Sequence, residues 1–79
     1  MRILLFAHLK DAAGRAELEW SGVGPLTADD FWKRLLAECP GLGVYRSQIR
    51  LARNWEYAAA DELFHDGDEV ALIPPVSGG

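Results

Sequence analysis

The sequence predicts an α+β domain in which one main helix covers one face of a four- to five-stranded sheet. Three observations carry this expectation. Branched and aromatic residues crowd the first nine positions, and an alternating segment follows, as two paired strands would. A single run, Thr27 to Cys39, spaces its apolar residues as a helix does. The remainder holds only short strand-like runs broken by turn residues. One helix covers one sheet face, so the other is left to water or to a partner.

Taken in order, Arg2–Leu9 reads as the first strand, with Ile3, Leu5, Ala7 and Leu9 on one face and Leu4, Phe6 and His8 on the other. Lys10–Gly14 breaks it. Ala16–Trp20 alternates, with Leu18 and Trp20 inward and Glu17 and Glu19 outward, and hairpins back. Thr27 is placed to cap the helix through the amide of Asp30, and Leu26 and Phe31 are spaced as a hydrophobic staple. Phe31, Trp32, Leu35, Leu36 and Cys39 form its apolar stripe. Asp29–Lys33, Asp30–Arg34 and Arg34–Glu38 are spaced as outer ion pairs. Pro40–Gly41 stops the helix, and Gly41–Ser47 reads as irregular. Ile49–Arg53 and Glu56–Ala58 read as short strands around an Asn54–Trp55 turn, and Asp61–Phe64 as a single helical turn. Asp66–Gly67–Asp68 turns into the last strand, Glu69–Ile73, whose pairing must end at Pro74 because proline has no amide to donate.

Size and charge narrow the function. Seventy-nine residues make one domain, 1–79, with little core volume to spare for an enclosed pocket. A net charge of −4 argues against nucleic acid, whose phosphates need a basic face. No apolar run approaches a membrane span, and nothing at the N-terminus reads as a signal peptide. A lone cysteine, Cys39, fits a reducing cytoplasm and reads as packed on the helix stripe. His8 and His65 lack companions at metal spacing, so no metal site is expected; His8 reads as a sheet-surface residue and His65 as a loop residue. No dinucleotide fingerprint, P-loop, catalytic triad or carboxylate dyad is present.

Two features remain. If Ile3, Leu5, Val70 and Leu72 lie under the helix, then Leu4, Phe6, Ala71 and Ile73 face outward, joined by Tyr57, as an apolar docking surface. Beyond it runs Pro74-Pro75-Val76-Ser77-Gly78-Gly79. Paired prolines favour an extended path, and glycines enter a slot too narrow for any side chain. Residues 74–79 therefore read as a tail shaped to enter another protein's active site.

Leu63–Gly79 closely resembles the C-terminal signature of the small subunit of molybdopterin synthase, the MoaD family, and Leu5–Ala7 with Lys10, Asp11 and Gly14 resembles that family's first strand and turn. Asn54 matches a frequent hairpin asparagine. Ile73, often Phe, and Arg53, more often Val, depart from the pattern and are expected on or beside the partner face. The resemblance implies a β-grasp, ubiquitin-like fold with a mixed sheet and a sulfur-carrier role in molybdenum cofactor biosynthesis. An E1-like adenylating enzyme would use ATP to activate the carboxylate of Gly79, the chain itself binding no cofactor. A sulfurtransferase would supply sulfur and leave a thiocarboxylate. The large subunit, joined in a heterotetramer, would pass that sulfur to a cyclic pterin precursor.

On this resemblance Gly79 carries the reactive group, Gly78 permits passage, and Ser77, Val76, Pro75 and Pro74 complete the tail. Phe6 and Ile73 anchor the partner, with Tyr57 and Lys10 beside them. The acidic chain would meet basic groups along the tail's path in both partners. The alternatives are a thiamine-type sulfur carrier, a ubiquitin-like protein modifier, or a non-catalytic interaction module of the same fold.

Overall fold

The strand Glu69–Ile73 occupies the middle of a five-stranded sheet, as its unbroken apolar centre requires, and every other element is arranged around it. This is a computed structural model, and it describes residues 1–74. Strands β1 (Arg2–Leu5), β2 (Glu17–Glu19), β3 (Arg50–Arg53), β4 (Glu56–Tyr57) and β5 (Glu69–Ile73) lie in the order β2-β1-β5-β3-β4. β1 runs parallel to β5, with Ile3 opposite Val70 and Leu5 opposite Leu72. The other neighbours are antiparallel, with Arg50 opposite Ile73 and Ala52 opposite Ala71. A mixed sheet under one main helix is the α+β, β-grasp arrangement expected.

The core lies between this sheet and the helices. Ile3, Leu5, Val70 and Leu72 turn inward and are shielded from water. The main helix Ala28–Glu38 presses Phe31, Trp32 and Leu35 against them. Phe31 meets Phe64 and Trp20 with ring centroids 5.3 and 5.4 Å apart, separations at which aromatic pairs attract beyond their buried area. The expected cap forms, Thr27 Oγ1 accepting from the Asp30 amide at 3.1 Å.

Four local expectations are overturned. The first strand stops at Leu5, and His8–Ala13 is a helix, α1, which makes the main helix α2. Leu9, Ala12 and Ala13 follow helical spacing and pack on the core. Ala7 turns the chain with φ 51° and is exposed, and Gly14 ends α1 in the left-handed conformation at φ 78°. His8 therefore stands on α1, its ring edge-on to Tyr45 at 5.0 Å, and not on the sheet.

The segment expected to be irregular is a 3-10 helix, Pro40–Gln48, that seats Leu42 in the core. It approaches α1 so closely that a Cβ on Gly41 would lie 3.0 Å from the Ala12 carbonyl oxygen. Asp61–Phe64 forms no helical turn. Phe64 is buried and must satisfy its backbone there, which it does by exchanging two 2.8 Å hydrogen bonds with Leu26. Finally, the charges on α2 choose other partners. Asp29 takes Arg46 at 2.7 Å, Glu38 accepts from the Trp20 indole at 2.9 Å, and Arg34 lies over the Trp20 ring.

Candidate partner-docking site

Alternation along β5 sends Ala71 and Ile73 to the face that the helices leave uncovered. Register brings Ala52 beside Ala71 and Tyr57 beside Ala52. Phe6, thrown outward just before the Ala7 turn, and Trp55, at the tip of the β3–β4 hairpin, close the two sides. Together these six residues line a shallow open groove of about 330 Å³. Phe6 is 43% exposed, Tyr57 58% and Trp55 77%. So much aromatic surface on one sheet face marks an interaction site more than a scatter of surface apolar groups does.

Of the residues expected to anchor a partner, Phe6, Ile73 and Tyr57 come together in the groove. Lys10 does not: it is exposed on α1, outside the groove lining, because the chain turns away at Ala7. Pro74 follows Ile73 at the groove's end. Pro75, Val76, Ser77, Gly78 and Gly79 lie outside the described residues. Trp55 and Ala52 were missed by sequence reasoning. Strand parity with Tyr57 could have found Ala52, whereas Trp55 sat in a segment assigned only to a turn.

Arg53 is not on this face. It stands opposite the inward Val70 at the end of β3, where its Nε donates to Asp68 Oδ2 at 2.6 Å and its Nη1 to Glu62 Oε2 at 3.0 Å. Asp68, the buried carboxylate among the described residues, also accepts from the Asn54 side-chain amide at 3.1 Å and the His65 backbone N–H at 2.8 Å. Burial alone would raise its pKa, but Arg53 and the two N–H donors outweigh it and hold the carboxyl below its ordinary value. The Ala59 N–H and Arg53 lower that of Glu62 likewise. Asn54 in turn accepts from the Glu69 N–H at 3.0 Å. This clasp ties the hairpin turn to the start of β5, so the turn carrying Trp55 is held from beneath.

The rest of the surface offers little chemistry. Cys39 is buried, and burial pushes its thiol above the ordinary value, with Arg15 lowering it and Glu38 raising it by smaller amounts. Among the described residues no group of three His, Cys, Asp or Glu side chains could hold a metal ion. No helix among them is long and apolar enough to cross a membrane.

Known proteins resemble this chain in sequence and share its fold. The molybdopterin synthase sulfur carrier subunit of Homo sapiens is 35% identical over 82 aligned residues, covering 100% of this chain and 93% of the human one. The small archaeal modifier protein 1 of Haloferax volcanii is 37% identical, with 95% of each chain covered. The crystal structure of SAMP1 from Haloferax volcanii superposes with a TM-score of 0.81 at 36% identity, covering 99% of this chain and 97% of that one. Residues 3–79 match the ThiS family throughout, and the chain belongs to that family.

Proposed function

We propose that this chain is the sulfur-carrier subunit of a molybdopterin synthase and works in the cytoplasm. One observation carries the reading: β5 floors an apolar, uncovered groove and leads directly into Pro-Pro-Val-Ser-Gly-Gly. A protein resting on the groove is thereby placed to receive the tail. The names of the full-length relatives support the same role.

The chemistry follows from the terminus. A carboxylate is a poor acyl donor, so an E1-like partner spends ATP to join AMP to Gly79 and release pyrophosphate. The terminal sulfur of a sulfurtransferase persulfide then attacks the acyl carbon and AMP leaves. Thiol cleavage of the resulting acyl disulfide frees the Gly79 thiocarboxylate. The large subunit, paired with this chain in a heterotetramer, holds the cyclic pterin precursor and supplies the acids and bases, while the carrier returns to carboxylate as its sulfur is transferred. Gly78 passes the channel, and Pro74 and Pro75 aim the tail.

A second reading, a protein modifier, is favoured by the similarity to the Haloferax modifier. Intact-mass analysis after incubation with activating enzyme, ATP and a persulfide donor, followed by mixing with large subunit and precursor, separates them. The carrier gains the mass difference of sulfur for oxygen at Gly79 and loses it as molybdopterin forms. Sulfur loading without molybdopterin formation, together with isopeptide products on lysines, overturns the carrier in favour of the modifier.

A further inference from the structure

Trp55 occupies a position that the fold itself would give to glycine. Asn54 and Trp55 have φ of 50° and 72°, the two positive values of a hairpin turn whose favoured pair is Asn-Gly. A side chain in this left-handed region is strained. Trp55 is also 77% exposed, so its indole gains little from the core in return. The third non-glycine residue with positive φ among those described is Ala7, which follows Phe6 directly. Both sites of backbone strain therefore hold an aromatic wall of the same groove. Such outliers cluster where structure serves binding more than stability.

Resting on the carrier reading above, we propose that Trp55 is an anchor and selector for the large subunit, gripping it at the end of the groove remote from the tail. Its place along the sheet supports this. The hairpin turn lies against Glu69, at the start of β5, while the tail leaves from Ile73 at its end. Four residues of strand separate the two, roughly 13 Å. Even fully extended, the five residues from Pro75 to Gly79 span no more than ~18 Å. The protein whose active site receives Gly79 therefore works close to the end of β5, and the groove is the apolar surface beside that end.

The partner's chemistry follows from the lining and its border: apolar side chains to fill the groove between Phe6 and Trp55, and a carboxylate for Arg50, which stacks on Tyr57 at the groove's margin. Arg50 stands opposite Ile73 and lies 3.8 Å over the Tyr57 ring, with no ion-pair partner among the described residues. Arg50 thus sets one positive charge beside the end of β5. Trp55 itself is far enough from that exit to govern binding without touching sulfur transfer.

The test measures stability, affinity and rate on the full-length thiocarboxylated chain and its Trp55→Gly and Trp55→Phe variants. Trp55→Gly relieves the turn, so its melting temperature rises by a few degrees. Its affinity for the large subunit falls tenfold or more in titration calorimetry. The single-turnover transfer rate at saturating large subunit stays unchanged. Trp55→Phe keeps the strain and recovers most of the affinity. A Trp55→Gly affinity within twofold of the parent overturns the proposal, as does a lower saturating rate with unchanged affinity. If the parent itself neither binds large subunit nor transfers sulfur to it, the carrier reading fails instead.

Discussion

Val70 and Leu72 on one side of β5 are wholly buried beneath α2, whereas Ala71 and Ile73 on the other side of the same strand floor an open groove. The sequence alternates between them residue by residue, yet both sides are apolar. On the helix side this apolarity has a direct structural return, since Phe31, Phe64 and Leu35 fill the space with no exposed surface. On the open side Phe6, Tyr57 and Trp55 gain much less, and two strained turns hold them there. Folding accounts for the first face; the proposed large-subunit contact accounts for the second. Substitutions should therefore divide the molecule into positions that move stability and positions that move partner binding.

The largest expected effect comes at the tail. Deleting Gly79, or replacing Gly78→Trp, should abolish sulfur transfer and leave the melting temperature unchanged, read by reconstituted molybdopterin formation and by calorimetry. Product formation at the parent rate by either variant removes the tail from the mechanism. On the covered face, Phe31→Ala should cost about 3–5 kcal/mol in urea unfolding, because it empties a site between Trp20 and Phe64 that neighbours cannot refill. That is much of the stability a domain of this size has, so this variant tests folding alone. On the open face, Phe6→Arg should weaken large-subunit binding by about a hundredfold, since an unpaired cation enters an apolar contact. Its unfolding midpoint should stay near the parent's, and a large loss of stability would show that the two faces are not separable there.

That division was partly legible in the sequence. The continuous apolar run of β5 and the Phe31–Trp32–Leu35 stripe of α2 are strong local signals; strand geometry then sends Val70 and Leu72 to the covered side and Ala71 and Ile73 outward, as the structure has them. What escaped was set by tertiary context. The apolar Arg2–Leu9 run satisfies a strand pattern as well as a strand followed by a helix, and only the depth of the core decides that Leu9 enters it from α1. Arg53 was expected on or beside the partner face from its departure from the family pattern, but parity turns it toward Asp68 and Glu62. Trp55 was hidden by its turn, whose left-handed φ cannot be read from the tryptophan itself.

The smallest effect tests the seam where the two faces meet. Asp68 holds Arg53, Asn54 and the His65 N–H together, and so fixes the hairpin to the start of β5. Burial disfavours its charge, but the Arg53 hydrogen bond and the two N–H donors prevail, and its folded pKa lies below the ordinary value of 3.8. A carboxylate depressed in this way contributes stability that is fully present above its unfolded pKa and is lost as pH falls through the folded one. Glu62, also lowered, acts in the same direction. The parent should therefore lose stability on acidification below about pH 4. Asp68→Asn should cost about 1–2 kcal/mol at neutral pH, because the charge is lost and one of the two accepting oxygens becomes an NH2, which leaves either Asn54 or the Arg53 and His65 donors without an acceptor. Below pH 4 its unfolding midpoint should converge with the parent's, since protonation has already removed that charge from the parent. Parallel curves down to pH 2 would assign the acid sensitivity to other carboxylates. A variant that also weakens large-subunit binding at neutral pH would show that the clasp beneath the turn helps hold Trp55 in the groove.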